Sequence, residues 1–352
     1  MIKKTALFLK TKHIGDSIIL TSAIQALPED FTFVDVICLP ESEQVFRMNP
    51  RVRNIYPIPR EQKGLKKFIH YLNFIIQIKK NNYDLLAQFA EDWRGVFLAI
   101  LLRPKVSVCR KSIRRGFLWH SFFDLTCKVI RDSRPSCEQD VDLLRKADLF
   151  SLPIAPSYKI IPPAENLKNI SNWLKKHALS SEKKIVVIHA FSRWKFKQIS
   201  QETWVEVIDY LSTKKIKVVL SGSKNDFNEN LQIARKVQKR VFIAENFDLN
   251  DTAALFKLSK VVISIDSMAV HMSSAVETPI LALFGPTNEL NWAPWKVKHS
   301  IISLNASDSP SFACRPCGQD GCGGSKISSC LTFIDSKRII NELKYFYIKN
   351  EF

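Results

Sequence analysis

The sequence predicts an α/β protein made of two Rossmann-like domains, each a parallel sheet wrapped by helices, facing a central cleft. Three observations carry this expectation. Short apolar, β-branched runs alternate with helix-period stretches along nearly all of the 352 residues, the pattern of repeated βαβ units. That length suits two hydrophobic cores better than one. A proline-rich stretch, Leu152-Pro-Ile-Ala-Pro-Ser-Tyr with Pro162-Pro163 shortly after, interrupts the pattern near the middle and reads as a linker. The expected domains are 1–155 and 156–334, with a last helix at 335–352 crossing back toward the first domain.

The first half opens with an apolar run at Lys4–Lys10, read as a strand. A turn, Thr11-Lys-His-Ile-Gly-Asp-Ser17, leads into a helix over 18–27 that Pro28 stops. This turn holds one glycine and is not a dinucleotide fingerprint. Strands are expected at 33–39, 52–58, 83–89 and 105–109, and short or longer helices at 41–48 and 137–150. The stretch 63–80 is amphipathic: Leu65, Phe68, Ile69, Leu72, Ile75 and Ile76 recur at helical spacing. The run 96–102 is apolar throughout, but far too short to span a bilayer.

The second half restarts the same alternation. Helices are expected at 165–177, from about 226, near 250–258 and at 335–348. Strands are expected at 184–189, 217–220, 241–244, Val261–Ile265 and Ile280–Phe284. The strand at 184–189 leaves through a basic loop, Ala190-Phe-Ser192-Arg193-Trp-Lys195-Phe-Lys197.

The densest stretch for chemistry is 261–287. Asp266 and Ser267 stand where a buried strand would turn into a helix, and either side chain can cap that helix. His271 follows within about a turn of the helix mouth. The next strand ends in Gly285-Pro286-Thr287. In open parallel sheets ligands bind at the carboxyl ends of strands, and a helix N-terminus there offers free N–H groups to a phosphate. A capped helix with a satisfied histidine would look the same for His271 alone. The combination at two successive strand ends points to a nucleotide-phosphate site.

Asp266-Ser267-x-x-x-His271, followed by Phe284-Gly285-Pro286-Thr287, resembles the donor-site signature of the heptosyltransferases, glycosyltransferase family nine. The likeness runs over nearly the whole chain and implies the GT-B architecture. It implies an inverting transfer of heptose, or a related sugar, from an ADP-sugar donor to the lipopolysaccharide inner core. It places Asp16, in Gly15-Asp16, on the general base. Ser192 and Lys197 match the loop that holds the diphosphate, with Arg193 a further candidate. Asp266, Ser267, His271, Gly285, Pro286 and Thr287 complete the expected donor site. The sequence departs from the family at Met268, where many relatives carry glycine, and at Gln198, where an aromatic residue is usual. No cofactor is implied: paired carboxylates for a catalytic Mg²⁺ are lacking, and a helix end plus a lysine can stabilise the leaving diphosphate.

Charge narrows the partners. Lys and Arg number 52 against 34 Asp and Glu, a net charge of +18, which favours acidic ligands or surfaces. Residues 51–80 hold eight Lys or Arg against Glu61; residues 103–134 hold nine against two acids, with Phe117, Trp119, Phe122 and Phe123 interleaved. Such stretches are ordinary solvated faces, or they meet an anionic membrane or a nucleic acid. No nucleic-acid module is recognisable, so the expected partners are the ADP-sugar, a lipid-anchored phosphorylated saccharide and the inner-membrane surface. The absence of a signal segment or spanning helix implies a cytoplasmic location, peripheral to the membrane.

Cys38, Cys109, Cys127 and Cys137 are scattered. Cys314, Cys317, Cys322 and Cys330 cluster among glycines, and four thiolates so close could close a tetrahedral zinc site. The last spacing is not that of a standard knuckle, and no metal is expected. Two other functions remain compatible with the sequence: a nucleotide-sugar epimerase of the same architecture, and a non-catalytic basic module for lipopolysaccharide or nucleic acid.

Overall fold

The computed structural model describes residues 3–58, 64–129, 134–150, 155–179 and 185–348. The linker reading at 152–154, the first residue of the strand expected at 184–189 and the side chains of Leu65 and Phe68 lie outside the described residues. Contacts divide the chain into Met1–Ile161 and Pro162–Phe352.

The first unit carries β1 (Lys4–Lys10), β2 (Phe31–Cys38), β3 (Val52–Pro57), β4 (Leu85–Gln88), β5 (Val106–Arg110) and β6 (Leu125–Cys127). They form one sheet in the order β3-β2-β1-β4-β5-β6, and every pairing is parallel. Successive side chains of β1 point to opposite faces. Ala6 and Phe8 join Leu20, Ala23 and Ile24 of helix Ile14–Ala26 and Val141 and Leu144 of helix Ser136–Lys146. Leu7 and Leu9 join Ile78 of helix Gly64–Lys79, Val96 and Ala99 of helix Trp93–Leu102, and the buried Trp119. Burying each large side chain of this kind contributes about 1.5–3 kcal/mol.

Two cations of the basic stretch 51–80 are structural. Arg51 donates to the carbonyls of Ile24, Leu27, Pro28 and Phe31 at 2.8–3.0 Å, satisfying the carbonyl end of the preceding helix. Arg53 grips the buried Asp35 through two bonds of 3.0 and 2.7 Å, and Tyr83 donates to the same carboxylate at 2.8 Å. In the second basic stretch, Trp119 and Phe123 are core residues, while Phe117 and Phe122 are exposed.

The second unit repeats the plan with β7 (Ile185–His189), β8 (Lys217–Ser221), β9 (Phe242–Ile243), β10 (Val261–Ile265), β11 (Ile280–Phe284) and β12 (His299–Ser303). Their order is β12-β11-β10-β7-β8-β9, again all parallel. In each unit the first and fourth strands are neighbours and the order reverses between them, which leaves a crevice at their carboxyl ends. Helix Ser336–Ile348 buries Ile339, Leu343 and Phe346 with Val207, Ile208 and Leu211 of helix Gln201–Thr213.

Several local expectations change. The first helix begins at Ile14, not 18, so Gly15 and Asp16 belong to its first turn and not to a loop. Helices Trp93–Leu102 and Gln201–Thr213 and strands β6 and β12 were not legible as elements in the sequence. The apolar run at 96–102 has no polar face to mark its period, because one side packs on the sheet and the other is also apolar.

Candidate active site

In the second unit, β7 and β10 flank the point where the strand order reverses. The loop leaving β7 is folded on itself. Trp194 N–H donates to Ser192 Oγ at 3.0 Å, and Gln198 Nε2 donates to the Ser192 carbonyl at 2.8 Å. Phe196 is buried, and its ring lies 5.9 Å from that of Trp194. This places Lys197 inward, where its ammonium meets Asp266 at 2.6 Å, with only 19% and 7% of the two side chains exposed. Arg193 and Lys195 of the same loop are exposed. Lys197 is half-buried, and its ammonium reaches the residue that follows β10. Burial pushes the His189 imidazole, at the end of β7, down to about 4, so this nearby ring adds no charge at neutral pH.

Asp266 and Ser267 follow β10 directly. Ser267 is the N-cap of helix Met268–Ala275, and its Oγ accepts from Ala269 N–H at 3.2 Å. The cap role expected of either residue is therefore filled by Ser267, while Asp266 holds Lys197. His271 is buried on that helix, its ring 6.2 Å from Trp292.

Lys197, Pro286 and Thr287 line one cavity of about 480 Å³. Trp194, Phe196, Asn288 and Trp292 add walls, and Pro316, Cys317 and Gly318 close another side. Ser192, Asp266, Ser267 and His271 are not among the residues that line it. Gly285 is in a different position again. A Cβ built there would lie 2.4 Å from Leu331 Cδ1, so the glycine is needed for packing under the turn. Gly285→Ala is expected to cost about 1–3 kcal/mol of stability by overpacking. Chemical denaturation of the wild type, Gly285→Ala and the double variant with Leu331→Val checks this. A double variant no more stable than Gly285→Ala would remove Leu331 as the cause.

Sequence reasoning missed the wall contributed by the cysteine loop. Gly318 N–H donates to the Pro286 carbonyl at 2.8 Å. Arg315, almost fully buried, donates to the Gly285 carbonyl, to the Leu304 carbonyl at 2.9 Å and to Glu289 at 2.9 Å. These bonds tie the loop to the Gly-Pro-Thr turn. The available signal was an arginine between two cysteines, which has no meaning until its partners are known. Cys314, Cys317 and Cys322 are exposed and Cys330 is buried, and none forms a disulfide. Among the described residues no group of three or more His, Cys, Asp or Glu side chains is arranged to hold a metal ion.

The first unit has its own cavity, of about 1230 Å³, at the ends of β1, β4, β5 and β6. Lys12, Arg94, Arg110, Lys111, Arg114, Arg115 and Lys128 line it, against Glu91 and Asp92. Arg110 is fixed from behind by Asp140 at 2.9 Å, and Lys10 joins the same carboxylate. Asp16 lies next to this region: its carboxylate is 4.0 Å from Lys12 and its side chain is 20% exposed. Burial pulls the Lys12 ammonium down, opposed by the charge of Asp16. The sequence showed these cations but not that four separate strand ends gather them.

The family model for Glycosyltransferase family 9 (heptosyltransferase) matches residues 71–317. The chain is 25% identical over 302 residues to Lipopolysaccharide heptosyltransferase 3 of Escherichia coli, covering 84% of this chain and 86% of that protein. Its fold is similar to that of a glycosyl transferase of family 9 from Veillonella parvula, with a TM-score of 0.84, 17% identity and coverage of 99% and 98% of the two chains. It is also similar to E. coli ADP-heptose lps heptosyltransferase II, with a TM-score of 0.77, 16% identity and coverage of 99% and 100%. The two parallel six-stranded sheets are those of the GT-B architecture. With the family model covering more than half of its length, the chain belongs to glycosyltransferase family 9, the heptosyltransferases.

Proposed function

We propose that this enzyme transfers heptose, or a closely related sugar, from an ADP-sugar to a saccharide of the lipopolysaccharide inner core, with inversion at the anomeric carbon. The observation that carries the donor half is Lys197, held by Asp266 beside a cavity lined by Pro286 and Thr287. In this reading the diphosphate lies in that cavity against Lys197, toward the N-terminus of helix Met268–Ala275; Ser192, Asp266 and His271 do not line the cavity and act through the loop, Lys197 and Trp292, which do. The names of the relatives support the sugar and the nucleotide.

In the reaction, Asp16 takes the proton from an acceptor hydroxyl as its oxygen attacks the anomeric carbon. The bond from that carbon to the diphosphate breaks, and negative charge builds on the leaving ADP. Lys197 and the helix end stabilise that charge with groups already in place. The cation-lined cavity of the first unit fits an acceptor bearing phosphates or carboxylates. A lipid anchor on that acceptor would bring the enzyme to the inner face of the cytoplasmic membrane.

Incubation with ADP-heptose and heptose-deficient core oligosaccharide tests the proposal. The expected product is heavier by one heptosyl residue, with its new anomeric configuration opposite to the donor's by NMR. Conversion of the donor to an isomer without transfer would favour an epimerase. Binding of core saccharide with no turnover of any nucleotide sugar would favour a non-catalytic module.

A further inference from the structure

Three buried charges meet at the ends of two strands of the first unit. Lys10 closes β1, Arg110 closes β5, and Asp140 reaches both from helix Ser136–Lys146. Lys10 Nζ donates to one oxygen of Asp140, and Arg110 Nη2 donates to the other at 2.9 Å. The side chains of Lys10, Asp140 and Arg110 are only 4%, 2% and 9% exposed. Two cations share one carboxylate, so one positive charge is buried in excess, which folding alone penalises. The guanidinium is also incompletely used: its Nε is buried and has no hydrogen-bond partner among the described residues. Buried donors of a purely structural cluster are normally paired.

Arg110 belongs at the same time to the wall of the cavity of about 1230 Å³, which Lys12 also lines. Burial lowers the Lys12 pKa; Asp16 opposes the shift, and the charges of Lys10 and Arg110 add to it. Lys12 therefore stands within electrostatic reach of the same excess charge. Arg94, on the same wall, is instead paired with Asp92 at 3.4 Å. We propose that Arg110, aligned by Asp140, binds a phosphate monoester of the acceptor, and that this contact selects phosphorylated acceptors over unphosphorylated ones. Asp140 is then a positioning residue, holding the planar fork by Nη2 and leaving its other N–H groups to the ligand. A guanidinium presents its donors to phosphate oxygens in a fixed plane, and a dianion matches the charges of both Arg110 and Lys12. An acceptor held there lies beside Asp16, whose carboxylate is 4.0 Å from Lys12. The acceptor role rests on the proposed function, whereas the anion site does not.

Calorimetric titration of inorganic phosphate into ADP-saturated protein tests the site, with ADP filling the donor position. Wild type is expected to bind phosphate, and Arg110→Gln to bind it about ten- to a hundredfold more weakly, the loss of one charge-assisted contact. No binding to wild type, or equal binding by the variant, would overturn the proposal. Acetate, a monoanion, is expected to bind more weakly than phosphate, and tighter binding of acetate would overturn the choice of a phosphate. Transfer to one acceptor, before and after phosphatase treatment, tests selectivity. Arg110→Gln should lower the ratio of kcat/KM for the phosphorylated over the dephosphorylated form by about ten- to a hundredfold, chiefly through KM. Its ADP affinity should stay near wild type. Lys10→Met/Asp140→Asn removes a cation and the carboxylate together, so net charge is kept while Arg110 loses its guide. This variant should lower the same ratio without loss of fold by circular dichroism, and an unchanged ratio would remove Asp140 as a positioning residue. An unchanged ratio in Arg110→Gln, with phosphate binding lost, would overturn the selectivity and leave an anion site that does not read the acceptor. Wild type that transfers to no acceptor would refute the proposed function, while the phosphate titration would still decide the site.

Discussion

Replacing Asp16 with asparagine is expected to lower the turnover number by about 10²- to 10⁴-fold, the usual weight of a general base, while ADP affinity should stay near wild type. The structure makes the experiment clean. Asp16 sits in the first turn of helix Ile14–Ala26, half-buried, and does not cap it: the N-cap is His13, with no side-chain cap bond. Asparagine is nearly isosteric, so the helix should persist. The change also removes the carboxylate 4.0 Å from Lys12, a partly exposed pair worth little to stability. Steady-state ADP release with saturating donor and acceptor measures the effect, and calorimetric ADP titration supplies the control. A variant with near-normal turnover would take Asp16 out of the proton transfer.

Lys197→Ala is expected to weaken ADP binding by about ten- to a hundredfold, the worth of one charge-assisted contact of about 1.5–3 kcal/mol. Adenosine, lacking phosphates, should bind poorly to both proteins and show no such change. The structure adds a second consequence. Lys197 is the cation on Asp266, whose side chain is only 7% exposed, so its loss leaves a buried carboxylate without its ion-pair partner. Stability should therefore fall as well. Lys197→Ala/Asp266→Asn separates the two effects: it should recover stability without recovering ADP affinity. Equal loss for ADP and adenosine would make Lys197 a residue of the fold. No loss for either would shift the phosphate contact to Arg193 or Lys195, which stand exposed on the same loop.

The sequence by itself determined the alternation of strands and helices, the two-unit plan and the two strand ends that frame the candidate donor site. Those features are local. An apolar β-branched run such as Val261–Ile265, a capping serine and the apolar period of a helix are each written within a few residues. The family signature at Asp266–His271 was legible for the same reason. Strand ends blurred where the chain leaves the sheet gradually, as at β2 and β4. Asp16 was placed in a turn because helix Ile14–Ala26 starts without a capping side chain.

Tertiary structure alone decided matters that depend on partners distant in sequence. It turned Lys197 toward Asp266, 69 residues away, and left Arg193 and Lys195 outside. It assigned Arg51 and Arg53 to a helix end and a buried aspartate, although in the sequence pattern they look like any surface cations. It made Gly285 a packing residue against Leu331 and the cysteine loop a wall of the cavity. Charge and apolarity can be counted along a chain, but whether a side chain faces solvent, a core or a ligand depends on which elements the sheet order brings together. That order follows from burying both faces of each sheet at once, a condition that no single stretch of sequence contains.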